Sequence, residues 1–273
     1  MHVNVAYTGW TWLINHKDNP KFELEQAIKE CKHLGYDFLE NFAFIADYYE
    51  DPLELVALLN KYDAKMVNLY GHFSNECSDE DYDRSVKQID FLAAIGGTHY
   101  NCQAAMWKEA PLKRPTDTAQ IAKYAAISNR LGAYAKTKGV ALCFHPHAQT
   151  AVFTEDQIDC FVKDTDPSVV WLCLDTAHTT IGGMSAPKAF GKYASRLGYV
   201  HLKDVDPTAA GGEQPMAAFR ALGLGTVDFV GVLAALRNGG YDGTLCVELD
   251  NPEVCNYQSA EVSRKYIKNA LKL

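Results

Sequence analysis

The feature that most limits how this chain can fold is a rhythm: eight short, nearly continuous apolar runs alternate with longer stretches whose apolar residues recur at helical spacing. The runs read as strands at Val3–Tyr7, Asp37–Phe42, Lys65–Tyr70, Thr98–Cys102, Val140–Phe144, Val169–Leu174, Tyr199–Leu202 and Thr244–Leu249. Helical patterns follow near 24–34, 53–62, 79–94, 118–138, 154–164, 187–196, 227–238 and 259–271. Glycine stands at several helix-to-strand turns, as in Lys138-Gly139-Val140 and Gly239-Gly240-Tyr241, where a helix end needs a left-handed residue. Strands apolar on both faces belong to a parallel sheet covered by helices, and eight such units close into a (β/α)8 TIM barrel, an α/β fold. The competing open, doubly wound sheet lacks its usual sign, because Thr8-Gly9-Trp10-Thr11 follows the first strand in place of Gly-x-Gly-x-x-Gly. No low-complexity linker divides the 273 residues, so one domain spanning 1–273 is expected.

Charge and cysteine usage narrow the function. The net charge is −8, and Lys and Arg are scattered, which argues against a nucleic-acid partner. No unbroken apolar stretch of about 20 residues and no basic-then-apolar start are present, so no membrane role and a cytoplasmic location are expected. The eight cysteines form no Cys-x-x-Cys pair and several lie inside apolar runs, as buried thiols do. Neither a disulfide framework nor a zinc–thiolate cluster is indicated.

In a barrel of this kind the strand C-termini converge, so the polar residues that end each run matter most. The last four strands end in Phe144-His145-Pro146-His147, Leu174-Asp175-Thr176-Ala177-His178, Val200-His201-Leu202-Lys203-Asp204 and Val247-Glu248-Leu249-Asp250. One such residue is often a helix cap; four in succession suggest a site. Imidazole and carboxylate ligands without thiolate suit a catalytic divalent cation with positions open to substrate oxygens, namely Mn²⁺, which is favoured, or Co²⁺, Mg²⁺, Fe²⁺ or Zn²⁺. Asp175, His201 and Glu248 are the expected ligands, with His145 as a fourth. His147 and His178 are the proton-transfer candidates. Lys203 either points its ammonium at a substrate oxygen or pairs with Asp204 or Glu248. From the early strands, Glu40, Asn41, Asn68, Tyr70, His72, Asn101 and Gln103 suit hydroxyl groups, and Trp10, Trp12, Phe42, Tyr70 and Trp107 offer faces for a sugar ring.

These segments, with Gly9-Trp10-Thr11 and Leu222-Gly223-Leu224-Gly225-Thr226-Val227-Asp228-Phe229, resemble the xylose-isomerase-like barrel superfamily of sugar isomerases, epimerases and dehydratases, and within it most the inosose (2-keto-myo-inositol) dehydratases. The resemblance covers nearly the whole chain. It implies metal ligands from strands five to eight, matched here at Asp175, His201 and Glu248. At strand five His145 replaces the Glu of many members, so of the two carboxylates that epimerases of the superfamily use only Glu248 is kept. That departure implies a lyase acting on a keto-cyclitol or keto-sugar through an enediolate, with Glu248 also catalytic.

The resemblance also embraces sugar isomerases or epimerases, lyases that cleave C-glycosidic bonds of 3-keto-glycosides, and endonucleases at abasic sites, the last disfavoured by the acidic charge. A sugar-binding protein is the non-enzymatic alternative. Residues Asp204 to Phe219, rich in Pro, Gly and Ala, suit a lid. Outer helices of such barrels often pair into homo-oligomers, but no helix here shows a stripe broad enough to name an interface.

Overall fold

The computed structural model describes residues 2–14, 18–107, 112–208, 218–252 and 254–273. In chain order the strands among the described residues are β1 (Asn4–Thr8), β2 (Phe38–Phe42), β3 (Lys65–His72), β4 (His99–Gln103) and β5 (Ala141–Phe144), then β6 (Val170–Asp175), β7 (Leu197–Leu202), β8 (Asp204–Val205), β9 (Phe219–Arg220) and β10 (Thr244–Val247). All but β8 and β9 pair in parallel and close into a barrel in the order β1-β10-β7-β6-β5-β4-β3-β2. Each of the eight expected runs is therefore a barrel strand.

The helices are α1 (Trp10–Ile14), α2 (Pro20–His33), α3 (Pro52–Lys61), α4 (Asp79–Ala94) and α5 (Thr118–Thr137), followed by α6 (Glu155–Asp164), α7 (Thr176–Ile181), α8 (Ala186–Lys192), α9 (Phe229–Asn238) and α10 (Asn256–Tyr266). Local chemistry starts them. Asn19, Asp51, Asp117 and Asp228 cap α2, α3, α5 and α9 through their side chains, and proline opens α2 and α3, where its missing N–H costs nothing. Ser78 and Asp81 form a reciprocal capping box on α4. The helices bury one face against the strands through side chains such as Leu24, Ile28, Ile89, Leu92, Leu131, Phe161, Phe190 and Leu236. Each of these contributes about 1.5–3 kcal/mol by leaving water.

Two short helices, α1 and α7, and the small antiparallel hairpin of β8 and β9 were not legible as separate elements in the periodicity. All three sit at the C-terminal end of the barrel. Val205 and Phe219 of the hairpin pack with Ala177, Ala218, Ala221 and Leu249 in a buried cluster of their own. The hairpin strands fall at the ends of the stretch expected to form a lid, while residues 209–217 of that stretch lie outside the described residues.

Candidate metal and substrate site

Strand alternation places two layers of side chains inside the barrel. Ala6, Cys143, Cys173, Tyr199 and Cys246 form one buried layer, and the residues two positions further along the last four strands, His145, Asp175, His201 and Glu248, stand above them toward the strand C-termini. Register completes the convergence: Asp175 of β6 is the partner of His201 on β7, and the Glu248 amide donates to the Leu202 carbonyl at 3.0 Å. One oxygen or nitrogen from each of Asp175, His201 and Glu248 lies within 4.8 Å of the other two.

The trio is buried and brings charged and polar atoms into close range of one another. Asp175 Oδ1 accepts the His178 amide at 2.7 Å, so it caps α7, while Oδ2 is buried with no hydrogen-bond partner. Glu248 Oε2 is buried 2.9 Å from His201 Nδ1 and 3.1 Å from the Lys203 ammonium. An unsatisfied buried group costs about 1–3 kcal/mol, so Asp175 Oδ2 beside these charged atoms fits a ligand that satisfies it. His201 Nε2 meets Glu40 Oε2 at 3.0 Å. A carboxylate on one ring nitrogen leaves the other directed at a metal, the usual arrangement behind a ligating histidine. Burial pushes Asp175 up to about 7, against the pull of Lys203. Burial alone would lower His201, but the Cys173 sulfur and the carboxylates of Glu40 and Glu248 outweigh it and raise His201 well above its ordinary range. Burial pushes the nearby Cys173 thiol up to about 11, and its sulfur also lies within 4.8 Å of ring nitrogens of His145 and His201.

Beside the trio stand three buried imidazoles. His145 Nδ1 lies 3.0 Å from the Cys173 carbonyl and donates its proton there, which leaves Nε2 as a free lone pair; the ring centroid is 4.9 Å from that of His201. His145, His147 and His178 also form a group whose ligand atoms lie within 4.8 Å of one another. His147 donates Nδ1–H to the Ala148 carbonyl at 2.6 Å, so its Nε2 is a lone pair. His178 accepts the Ala148 N–H on Nδ1 at 3.4 Å, so its Nε2 carries the hydrogen, buried and without a partner. The two rings are 3.8 Å apart, and burial lowers both, His147 to about 4. Both are neutral near pH 7, one as an acceptor and one as a donor.

Lys203 is buried among carboxylates, 3.0 Å from Asp250, 3.1 Å from Glu248 and 3.8 Å from Asp175, with Phe219 covering its ammonium at 4.7 Å. Of its two expected partners it takes Glu248. Asp204 instead accepts the amides of Gly223, Gly225 and Val227 and so ties down the Leu222–Phe229 segment. Asp250 carries a role the sequence reading did not give it. Its position two residues beyond Glu248 on an alternating strand was the available signal.

The early strands are mixed. Glu40 was expected to hold a substrate hydroxyl; its Oε2 is committed to His201 and to the Asn101 amide at 3.1 Å, so it orients the imidazole. Tyr70 lies on the imidazole cluster, 5.4 Å from His145 and 6.0 Å from His201, and donates its hydroxyl to Gln103 Oε1. Asn101 Oδ1, both amide atoms of Asn68 and the Thr8 hydroxyl are buried and unpartnered near the same level; Thr8 ends β1 and went unread. Trp10 packs on Phe42 with its indole nitrogen unpartnered. Trp12 is a correction: its indole donates to Glu30 at 2.8 Å and its ring meets Tyr7, which places it in the core. Trp107 lies under Arg114, beside a separate cavity with Asn75 and Gln157.

The model for the family described as xylose isomerase-like TIM barrel matches residues 28–270. The chain belongs to the xylose isomerase-like TIM-barrel family. Within this family, an inosose dehydratase of Clostridium perfringens is 34% identical over 298 aligned positions, which cover 99% of this chain and 98% of that protein. Two solved structures share the fold: a D-allulose 3-epimerase from Methylomonas sp. at TM-score 0.79 and 21% identity, covering 98% of this chain and 97% of that one, and the IolI protein, crystallised with a zinc atom, at TM-score 0.78, 18% identity and the same coverage.

Proposed function

We propose that this protein is a metal-dependent lyase that dehydrates a keto-cyclitol or keto-sugar, with a 2-keto-inositol as the first substrate to test. The observation that carries the reading is the pairing of a buried, converging Asp175–His201–Glu248 trio with two imidazoles held in opposite tautomers. The inosose dehydratase relationship over almost the full chain supports the same chemistry, and an enzyme acting on carbohydrates or cyclitols is the class to which the relatives belong.

Asp175, His201 and Glu248 would hold the cation with His145 Nε2 beside them, and Mn²⁺ is the ion we favour for an oxygen–nitrogen set without thiolate. When bound, the cation supplies Lewis-acid polarisation of the substrate oxygens. His147 Nε2 takes the proton from the carbon next to the ketone, and the C–H electron pair passes into an enediolate. That pair then expels the hydroxyl on the next carbon, which takes the proton now on His147 Nε2, with His178 Nε2–H donating a hydrogen bond to it, and leaves as water. Loss of that proton returns His147, whose ring contacts His178, to its starting tautomer. Lys203 and the Tyr70–Gln103 pair orient the ring hydroxyls, and Glu248, 3.1 Å from the Lys203 ammonium, would also hold the cation. Residues 1–273 act as one domain. No helix among the described residues is long and apolar enough to cross a membrane, and eight unpaired cysteines suit a reducing cytoplasm, where we place the enzyme.

Elemental analysis of the purified protein beside Glu248→Gln and His201→Ala tests the centre. Near-stoichiometric divalent metal in the wild type, lost in both variants together with dehydration of 2-keto-inositol, is the expected result. A full rate after thorough metal removal overturns the reading.

A further inference from the structure

Under the Asp175–His201–Glu248 trio lies a layer of thiols that nothing in the chemistry above uses. Cys143, Cys173 and Cys246 are wholly buried there with Ala6 and Tyr199. The Cys173 sulfur stands within 4.8 Å of ring nitrogens of His145 and His201, and the Cys246 sulfur within the same distance of His201 and Glu40. The two groups differ in what else engages their atoms. Cys246 donates its thiol to the Val247 carbonyl at 3.8 Å, and Glu40 is held by His201 and by the Asn101 amide. Cys173 instead offers its carbonyl to His145 Nδ1 at 3.0 Å, so the residue that leaves His145 Nε2 as a free lone pair also brings a sulfur near that ring.

A carbonyl behind one ring nitrogen is the usual support of a histidine that binds metal through the other. Bonds of about 2.0 Å from zinc to nitrogen and about 2.3 Å to sulfur put the ligand atoms of a tetrahedral ion about 3.3–3.6 Å apart. Atoms already within 4.8 Å of one another reach that spacing through small side-chain rotations. Ligand softness then sorts the cations. Sulfur with imidazole selects Zn²⁺ and its heavier, thiophilic congener Cd²⁺, whereas the carboxylate oxygens of Asp175 and Glu248 suit Mn²⁺ or Mg²⁺. His201 belongs to both sets, and the His145 ring centroid is 4.9 Å from its own, so the two sets compete for the same imidazoles.

We propose that His145, Cys173 and His201 form a second metal site, one layer below the trio, that takes thiophilic divalent cations of the Zn²⁺ and Cd²⁺ class and, by taking His201, excludes the cation of the oxygen-rich trio. On binding, the Cys173 S–H bond breaks, a sulfur–metal bond forms and the proton leaves to solvent. Metal and sulfur keep their oxidation states, so no co-reactant is needed. This rests on the reading of Asp175, His201 and Glu248 as a metal centre and goes beyond it, because it makes the choice of cation a choice between two ligand sets.

Titration of the metal-free protein with Cd²⁺ tests it, in a Cys255→Ser background that removes the exposed thiol. The readouts are the ultraviolet charge-transfer band of a cadmium–thiolate bond and elemental analysis. The parent protein takes one Cd²⁺ and shows the band, Cys246→Ser keeps the band, and Cys173→Ser loses it. Added to Mn²⁺-loaded protein, Cd²⁺ releases Mn²⁺ one for one, and Cys173→Ser needs at least about tenfold more Cd²⁺ for the same release. X-ray absorption of the parent cadmium complex reads the same ligands without a change at Cys173. One sulfur together with nitrogen is expected, and nitrogen and oxygen alone overturn the proposal. A band that survives Cys173→Ser, or Cd²⁺ and Mn²⁺ held together on one chain, overturns it as well. The two readings fail separately. Dehydration of 2-keto-inositol by the Mn²⁺ protein with no sulfur on cadmium removes the lower site and leaves the centre; sulfur on cadmium in a protein that does not dehydrate 2-keto-inositol does the reverse.

Discussion

Ala148 sets the tautomers of two neighbouring imidazoles through its backbone alone, taking a proton from His147 and offering one to His178. A pair so arranged can act as base and acid without either ring carrying charge beforehand. His147→Ala should therefore keep its metal by elemental analysis while losing about 10²–10⁴-fold in kcat, and an equal loss of metal would show that the ring is a ligand instead. Glu40 acts one step further out. Its carboxylate fixes His201, so Glu40→Gln should weaken metal binding about tenfold to a hundredfold in competition with a chelator. Unchanged affinity would return Glu40 to the substrate side of the site.

Helix α4 carries its own stability device in Asp81. Burial pushes the Asp81 carboxyl up, but the Ser74 and Arg84 side chains and the Ser74 and Ser78 amides outweigh it and hold the group below its ordinary 3.8. The fold thus prefers the ionised form. Its contribution is complete above the unfolded value and disappears as pH falls through the lower folded value. Urea unfolding at about pH 5 and about pH 2 should show a smaller acid loss for Asp81→Asn than for the wild type. Helix α5 approaches the barrel as closely as its backbone allows at Gly132, where an added Cβ would overlap the Val169 carbonyl just before β6. Gly132→Ala should cost about 1–3 kcal/mol in the same assay, because the obstruction is backbone and cannot rotate away.

At the scale of the molecule, β2, β6 and the end of β10 bring four carboxylates, Glu40, Asp175, Glu248 and Asp250, to one end of the barrel beside the buried ammonium of Lys203. A divalent cation that bound only the folded chain would relieve that imbalance and stabilise the whole fold by mass action, by about 2.7 kcal/mol at a hundredfold excess over Kd. The melting temperature should rise by several degrees with added Mn²⁺ and by none in His201→Ala, read by circular dichroism. An equal rise in both would place the bound ion elsewhere.

The barrel and most of its centre were legible because both follow from alternation. Eight apolar runs separated by amphipathic helices have few ways to close, and residues that end such runs must meet at the barrel mouth; Asp175, His201 and Glu248 could be named on that ground alone. Asp250 and Thr8 obeyed the same two-residue rule and were passed over. The roles of Glu40, Trp12 and Asp204 had no local signal, since whether a carboxylate faces a substrate, an imidazole or three loop amides depends on elements far apart in the chain. Glu40 and His201 are separated by 161 residues and meet only because β2 and β7 belong to one closed sheet. The opposite tautomers of His147 and His178 were likewise decided by tertiary structure, because they depend on where a single backbone residue lies between two rings. Composition and periodicity fixed which residues could reach the barrel mouth; only the packed fold fixed what each of them touches there.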